Sequence, residues 1–372
     1  MTEEDLPLQC SAVPTVRVEI SPGSYDIAVE RGLMANIGEL IRPRVQSGKV
    51  AIVGDSNALA QQGARLLLSL RSTFDCVIES QVPSGERNKT LAIVDRIYGE
   101  ILQHKIDRNT PLVAMGGGVT GDIAGFVAAT VLRGIPFVQV PTTLLAMVDA
   151  SVGGKTGIDH PRGKNLIGAF HQPIAVFIDP EVLSTLPPRE LRNGLAECIK
   201  HVIIRDADGF ASLEKSIDRA LSLDMHYLTG LIAHNVAIKA RVVESDPVEK
   251  GERAHLNFGH TFGHAIENVS NFEYSHGESV ALGMCAASRL AVDLKMLDEA
   301  SRTRIVDLIS RAGLPTRGLK LNLNAVIDSM GFDKKAVAGE LRFVLPDRIG
   351  HVVICDDAPP DRVRAALESL QD

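Results

Sequence analysis

The chain has 372 residues, enough for two domains of ordinary size and a sizeable core, which excludes a peptide or a disulfide-stapled mini-protein. Hydrophobic residues make up 45% and charged residues 23%, with 39 Lys and Arg against 46 Asp and Glu for a net charge of -7, so the composition is that of a folded chain. The acidic balance and an aromatic content of 4% without tryptophan argue against a nucleic-acid partner, and no uncharged run reaches the ~20 apolar residues of a membrane helix.

The first ten residues, MTEEDLPLQC, are acidic where a secretory signal is basic, so the cytoplasm is the expected compartment. Residues 15–30 alternate apolar and polar side chains around Pro22-Gly23, which predicts a two-stranded element at the edge of the first domain. KVAIVGDSN (49–57), DCVIESQV (75–82), PLVAMGGG (111–118), IPFVQVP (135–141) and AVFID (175–179) are short β-branched runs, several separated by helical stretches such as 90–103. That alternation predicts an α/β domain with a parallel sheet and crossover helices. From about residue 186 the periodicity is helical, apart from a late strand pair, LRFVLP and HVVICD, around 347–350. A boundary falls near 181, where Pro187-Pro188 precede a helix, so a mainly α-helical second domain follows. Cys10, Cys76, Cys198, Cys285 and Cys355 are scattered singly, without a CxxC pair, and so neither staple the fold nor form a thiolate zinc site.

Several constellations can carry chemistry. Met115 to Asp122, MGGGVTGD, follows a buried strand and opens a helix over Ile123 to Leu132; it reads either as a backbone cradle for a pyrophosphate or as a tight strand-to-helix turn. Asp55 at the end of a strand is a ribose acceptor or a helix N-cap, and Glu86 and Lys89 have the same ambiguity. His260 and His264 share one helix face and His276 follows within the next segment, a spacing that resembles a zinc site. Glu197 would add a carboxylate; its plain alternative is a helix-surface pair with Lys200. Lys155, Lys164, Lys200, Lys239, Arg253 and Lys334-Lys335 lie in Gly-rich or His-rich contexts. Singly they read as surface charges, and together as a cleft for a small anionic substrate.

Taken together, GGGVTGDIAGFVAA, VPTTLLAMVDASVGGKTGID, GKNLIGAF, GLAECIKH, LNFGHTFGHAIE and HGESVALGM resemble the 3-dehydroquinate synthase family of sugar-phosphate cyclases, over roughly residues 50–340. The resemblance implies an NAD-binding α/β domain over 1–180 and a helical metal- and substrate-binding domain over 181–372, with NAD and a zinc or cobalt ion between them. It implies Glu197, His260 and His276 as metal ligands, with His264 beside the metal serving substrate and proton handling. Asp149, Lys155, Asn165, Lys200, Lys239, Arg253, Asn257, His264 and a C-terminal lysine, Lys335, would meet the substrate. Asp55, Glu86, Lys89, Gly117, Gly118, Asp122, Thr142, Thr143 and Lys164 would meet NAD, with Lys155 bordering both. The tract SDPVEKGER departs from the family pattern at Pro247, and Glu249 is not carried over as a contact.

The implied reaction converts 3-deoxy-D-arabino-heptulosonate 7-phosphate to 3-dehydroquinate and phosphate by transient oxidation, phosphate elimination, re-reduction and aldol closure, in the shikimate pathway. A homodimer is expected, with neither nucleic acid nor membrane as partner. The competing readings are a cyclase of the 2-epi-5-epi-valiolone or 2-deoxy-scyllo-inosose synthase type, a glycerol-dehydrogenase-like alcohol dehydrogenase, and a non-catalytic binding protein. Cyclases of those two types tend to replace the pocket residues that here read Leu256, Asn257, His264 and the DKK lysine.

Overall fold

The computed structural model describes residues 15–21, 23–249, 251–271, 273–331 and 341–371. The chain opens with β1 (Thr15–Val18) and β2 (Tyr25–Val29), which pair antiparallel as their alternation requires, and a short helix α1 (Ile37–Ile41). The apolar runs then form β3 (Lys49–Asp55), β4 (Cys76–Val82), β5 (Leu112–Gly116) and β6 (Phe137–Pro141), with helices α2 (Ser56–Thr73), α3 (Leu91–Leu102) and α4 (Gly118–Thr130) between them. A hairpin of β7 (Lys155–His160) and β8 (Gly163–Phe170) precedes β9 (Ala175–Ile178). Helices α5 (Pro188–Arg205), α6 (Ala207–Leu221), α7 (Met225–Ser245), α8 (His260–Val269), α9 (His276–Asp293), α10 (Glu299–Arg311) and α11 (Leu323–Gly331) follow. A small antiparallel pair, β10 (Phe343–Arg348) and β11 (His351–Cys355), and α12 (Pro360–Glu368) complete the described chain.

Seven strands form one sheet in the order β1-β2-β9-β6-β5-β3-β4, parallel throughout except for the β1–β2 edge pair. Both faces are covered, which explains the continuous apolar runs. Val50 and Ile52 point into one cluster with α2 and α5, while Ala51 and Val53 point into another with α3 and α4. The first cluster continues without a break into the helices after residue 188. After β3 the chain moves to β4 at the sheet edge and returns to β5 on the opposite side of β3. A crevice therefore opens at the carboxyl ends of β3 and β5, the position where open α/β sheets bind ligands. α4 starts five residues before the expected Ile123, because Gly117 occupies the N-cap and the glycine turn joins the helix. Pro188 is the first residue of α5, where its missing N–H and fixed φ are harmless.

Candidate active site

The sheet end of the site is built by the glycine turn. A Cβ on Gly116 would come within 2.7 Å of Thr120 and 3.0 Å of Asp55, so only glycine lets β5 end this close to the end of β3. Gly117 caps α4 without any side-chain cap, so the first N–H groups of the helix face the crevice. Thr142 donates its backbone N–H to Gly116 O at 2.9 Å, and Thr143 Oγ1 accepts from Ala146 N at 3.1 Å, fixing the next strand end beside the turn. Asp55 accepts from Asn57 N (2.9 Å), Ala58 N (3.0 Å) and Ser84 Oγ (2.6 Å), so it serves as the N-cap of α2. Lys89 is buried and donates to both Asp122 Oδ2 and Asn165 Oδ1 at 2.5 Å; burial lowers its pKa, but Asp122 and Glu86 more than offset this and raise it.

Glu197, on α5, is fully buried, and neither carboxylate oxygen has a hydrogen bond of acceptable geometry, although the Lys200 ammonium lies against Oε2. Lys200 balances this buried anion at Oε2, while Oε1, turned toward the two histidines, is left free to bind a cation. His276 Nε2 stands 3.5 Å and His260 Nε2 3.8 Å from Glu197 Oε1, and ligand atoms of all three residues fall within 4.8 Å of one another. Donors bound ~2.1 Å from a tetrahedral ion lie about 3.4 Å apart, so this trio is already spaced for a zinc-like cation. His260 Nδ1 rests 3.1 Å from Phe258 O, which leaves Nε2 for the ion. Burial holds His260 well below its ordinary pKa, in the neutral form that a ligand must have. Burial also lowers His276, but Glu197 and Glu267 on either side outweigh it and lift the pKa to about 10 without an ion. His264 packs edge-on to His260 with ring centroids 5.1 Å apart, beside the trio.

Cationic and polar groups surround this centre. Burial lowers Lys239, against the attraction of Asp149, to about 8; its ammonium donates to Asp149 Oδ1 at 2.6 Å. Burial would raise Asp149, but Lys239 and Lys200 hold its carboxyl well below the usual range. Arg253 is buried and donates to Pro247 O (2.8 Å) and Gly153 O (3.1 Å), so the divergent proline takes part through its carbonyl. Lys155, half exposed at the start of β7, pairs with Glu249, which also accepts from Asn257 Nδ2 at 3.3 Å. Glu249 thus stands between two of the expected substrate residues. Lys164 joins the two ends of the site, contacting Glu86 Oε1 at 3.2 Å and Glu267 Oε1 at 3.0 Å. Lys335 lies outside the described residues.

Two contributors escaped the sequence reading. The β7–β8 hairpin, which carries Lys155, Lys164 and Asn165, has a glycine-rich sequence with little β-propensity. Glu267 sits in the HxxxHxxE stretch of α8, where its spacing of seven from His260 was the available signal.

A parallel sheet with a glycine turn at its switch point, joined through Lys164 to a buried Glu-His-His cluster on helices, defines a class: enzymes that set a nucleotide site against a metal site. Comparison with known proteins narrows the class. A model of the N-terminal part of 3-dehydroquinate synthase matches residues 79–193, and one of the C-terminal part matches residues 194–336. The 3-dehydroquinate synthase of a Picosynechococcus species is 46% identical over 357 residues, covering 95% of this chain and 98% of the relative. Among solved structures, the 2-epi-5-epi-valiolone synthase ValA from Streptomyces hygroscopicus, with NAD+ and Zn2+ bound, has a TM-score of 0.87 at 29% identity and covers 95% of this chain and 98% of its own. A 2-deoxy-scyllo-inosose synthase complexed with carbaglucose-6-phosphate, NAD+ and Co2+ has a TM-score of 0.88 at 25% identity, covering 95% and 99%. The chain belongs to the 3-dehydroquinate synthase family.

Proposed function

We propose that this protein is a 3-dehydroquinate synthase, acting on 3-deoxy-D-arabino-heptulosonate 7-phosphate with NAD and a divalent ion. The observation that carries the reading is the buried, hydrogen-bond-deficient Glu197 with two imidazole nitrogens turned toward it at 3.5 and 3.8 Å. The 46% identity to a 3-dehydroquinate synthase, against 29% and 25% to cyclases of the other two types, supports this substrate over theirs. When bound, NAD takes a hydride and returns it, while zinc or cobalt acidifies the hydroxyl that is oxidised.

The chain's own residues do the rest. Glu197, His260 and His276 hold the ion; the N–H groups after Gly117 and Gly118, with Asp122, Thr142, Thr143, Lys89, Glu86 and Lys164, border the nucleotide. Asp55 sits at the same crevice through its backbone and its cap of α2. Lys155, Lys200, Lys239 and Arg253 supply fixed cations for the carboxylate and phosphate, as an anionic substrate in an acidic protein requires. Asp149, Asn165 and Asn257 orient those cations or the substrate hydroxyls, and His264, beside the metal trio, moves protons at the reacting carbons. The resident lysines keep the enol and carbonyl in attack geometry for ring closure.

No helix among the described residues is long and apolar enough to cross a membrane. A cytoplasmic homodimer is the working picture for purification. The test mixes purified protein, catalytic NAD and zinc with the heptulosonate phosphate and follows inorganic phosphate and 3-dehydroquinate. Phosphate release without net NADH is expected; folded, metal-loaded protein that releases no phosphate overturns the assignment.

A further inference from the structure

Each histidine of the metal trio is gripped at the ring nitrogen that faces away from Glu197. For His260 the grip is a backbone carbonyl, Phe258 O, at 3.1 Å from Nδ1. For His276 it is a carboxylate: Nδ1 lies 3.6 Å from Glu267 Oε2 while Nε2 faces Glu197 Oε1 at 3.5 Å. The imidazole is therefore suspended between two acids of different helices, α5 and α8. Glu267 is nearly buried, with a side-chain exposure of 8%, and its other oxygen accepts from Lys164 Nζ at 3.0 Å. Lys164 belongs to the β7–β8 hairpin and also contacts Glu86.

We infer that Glu267 is a positioning residue for the metal: it receives the Nδ1 proton of His276, fixes the tautomer whose Nε2 lone pair points at the ion, and is itself held by Lys164. With Nε2 committed to a cation, Nδ1 carries the only ring proton, and Glu267 is the acceptor that faces it. Lys164 neutralises the carboxylate, so the acid remains ionised beside a second acid without repelling it. The hairpin that borders the nucleotide crevice thereby sets the orientation of a metal ligand on α9. This inference rests on the metal reading above.

Metal-stripped full-length protein and its variants are titrated with Co2+ in competition with a chromophoric chelator, at fixed pH and without NAD, and the visible cobalt spectrum is recorded. Glu267→Ala is expected to bind Co2+ about 10- to 100-fold more weakly with a changed absorption envelope, and Glu267→Gln, which keeps an acceptor oxygen, to lose only about three- to tenfold. Lys164→Met weakens binding in the parent but adds nothing in the Glu267→Ala background, because its effect passes through that carboxylate. Should Glu267→Ala not fold, the near-isosteric Gln variant and the Lys164 cycle built on it carry the test. A Glu267→Ala affinity within twofold of the parent and an unchanged spectrum overturn the inference. A loss as complete as that of His276→Ala also overturns it, because Glu267 would then be a ligand. A folded parent that takes up no cobalt overturns the metal reading and this inference together.

Discussion

His276, half-buried, turns its two ring nitrogens toward Glu197 and Glu267, so the proposed ligand is framed by two acids. Replacing it by alanine leaves one imidazole and one carboxylate, too few protein donors for a stable zinc-like site. His276→Ala should lose bound metal and turnover together; metal analysis that finds an unchanged stoichiometry would refute the ligand assignment. Among the histidines outside the metal trio, His171 offers a contribution to acid stability that can be tested by itself. His171 is partly buried against Phe137, with Nε2 3.0 Å from Ile135 O, and burial lowers its pKa below the ordinary 6.5. A lowered folded value means that its contribution to stability is present above 6.5 and is lost as pH falls from there through the folded value. Urea midpoints of the parent should therefore drop more on acidification from about pH 8 to about pH 5.5 than those of His171→Gln. Equal drops would show that His171 plays no part in the acid limb.

At the scale of elements, the geometry of the proposed metal trio depends on how α5 meets α9. Three residues of α5 at intervals of four, Arg189, Asn193 and Glu197, face the start of α9. Arg189 binds Glu278 at 2.5 Å, Asn193 Oδ1 accepts from Ser275 Oγ at 2.5 Å, and Glu197 meets His276. Ser275 and Glu278 form a capping box that fixes where α9 begins, and so where His276 points. Gly277 permits the contact: a Cβ there would lie 2.5 Å from Asn193 Cα and 2.6 Å from Asn193 O. Gly277→Ala should cost about 1–3 kcal/mol by forcing the helices apart, and should weaken metal binding along with it. Arg189→Ala, at a pair whose arginine is about half exposed to solvent, should cost about 1 kcal/mol and leave metal binding intact. Chelator competition and urea midpoints separate the two; a Gly277→Ala protein with full metal affinity would refute this account of the contact. The buried strands β3, β5, β6 and β9 were legible because parallel strands covered on both faces read as unbroken apolar runs, and the histidines were legible because helical spacing shows on the page. The β7–β8 hairpin was not, since its glycines and half-buried positions carry neither period, and the Asp55 side chain was resolved only by seeing which N–H groups it caps. Pairings distant in the chain, such as Lys164 with Glu267 or Lys155 with Glu249, have no local signature at all.

Across the whole molecule, the larger of the two hydrophobic clusters is shared by one face of the sheet and the helices after residue 188. The larger cluster runs from Val18 on the first strand, through Met147 and Val148, to Leu370 after the last helix, with no polar seam near residue 181. β1 and β2 lie beside α7, and Gly153, between sheet and hairpin, accepts from Arg253 beyond α7. The proposed metal ligands thus sit on helices, α5, α8 and α9, whose apolar side chains belong to the same cluster as Val50 and Ile52 of the sheet. Ligand binding to the native state alone stabilises it by RT ln(1 + [L]/Kd), about 2.7 kcal/mol at a hundredfold excess over Kd. Because the core is continuous, that stabilisation should reach the sheet. Thermal unfolding followed by calorimetry should show one transition, and zinc should move all of it upward while a chelator returns it. Hydrogen exchange should agree, with metal slowing the most protected amides of β5 and β6 as well as those of α9. Two separable transitions, with only the one that unfolds the helices responding to zinc, would mean that the shared core does not couple the two parts and that each half folds by itself.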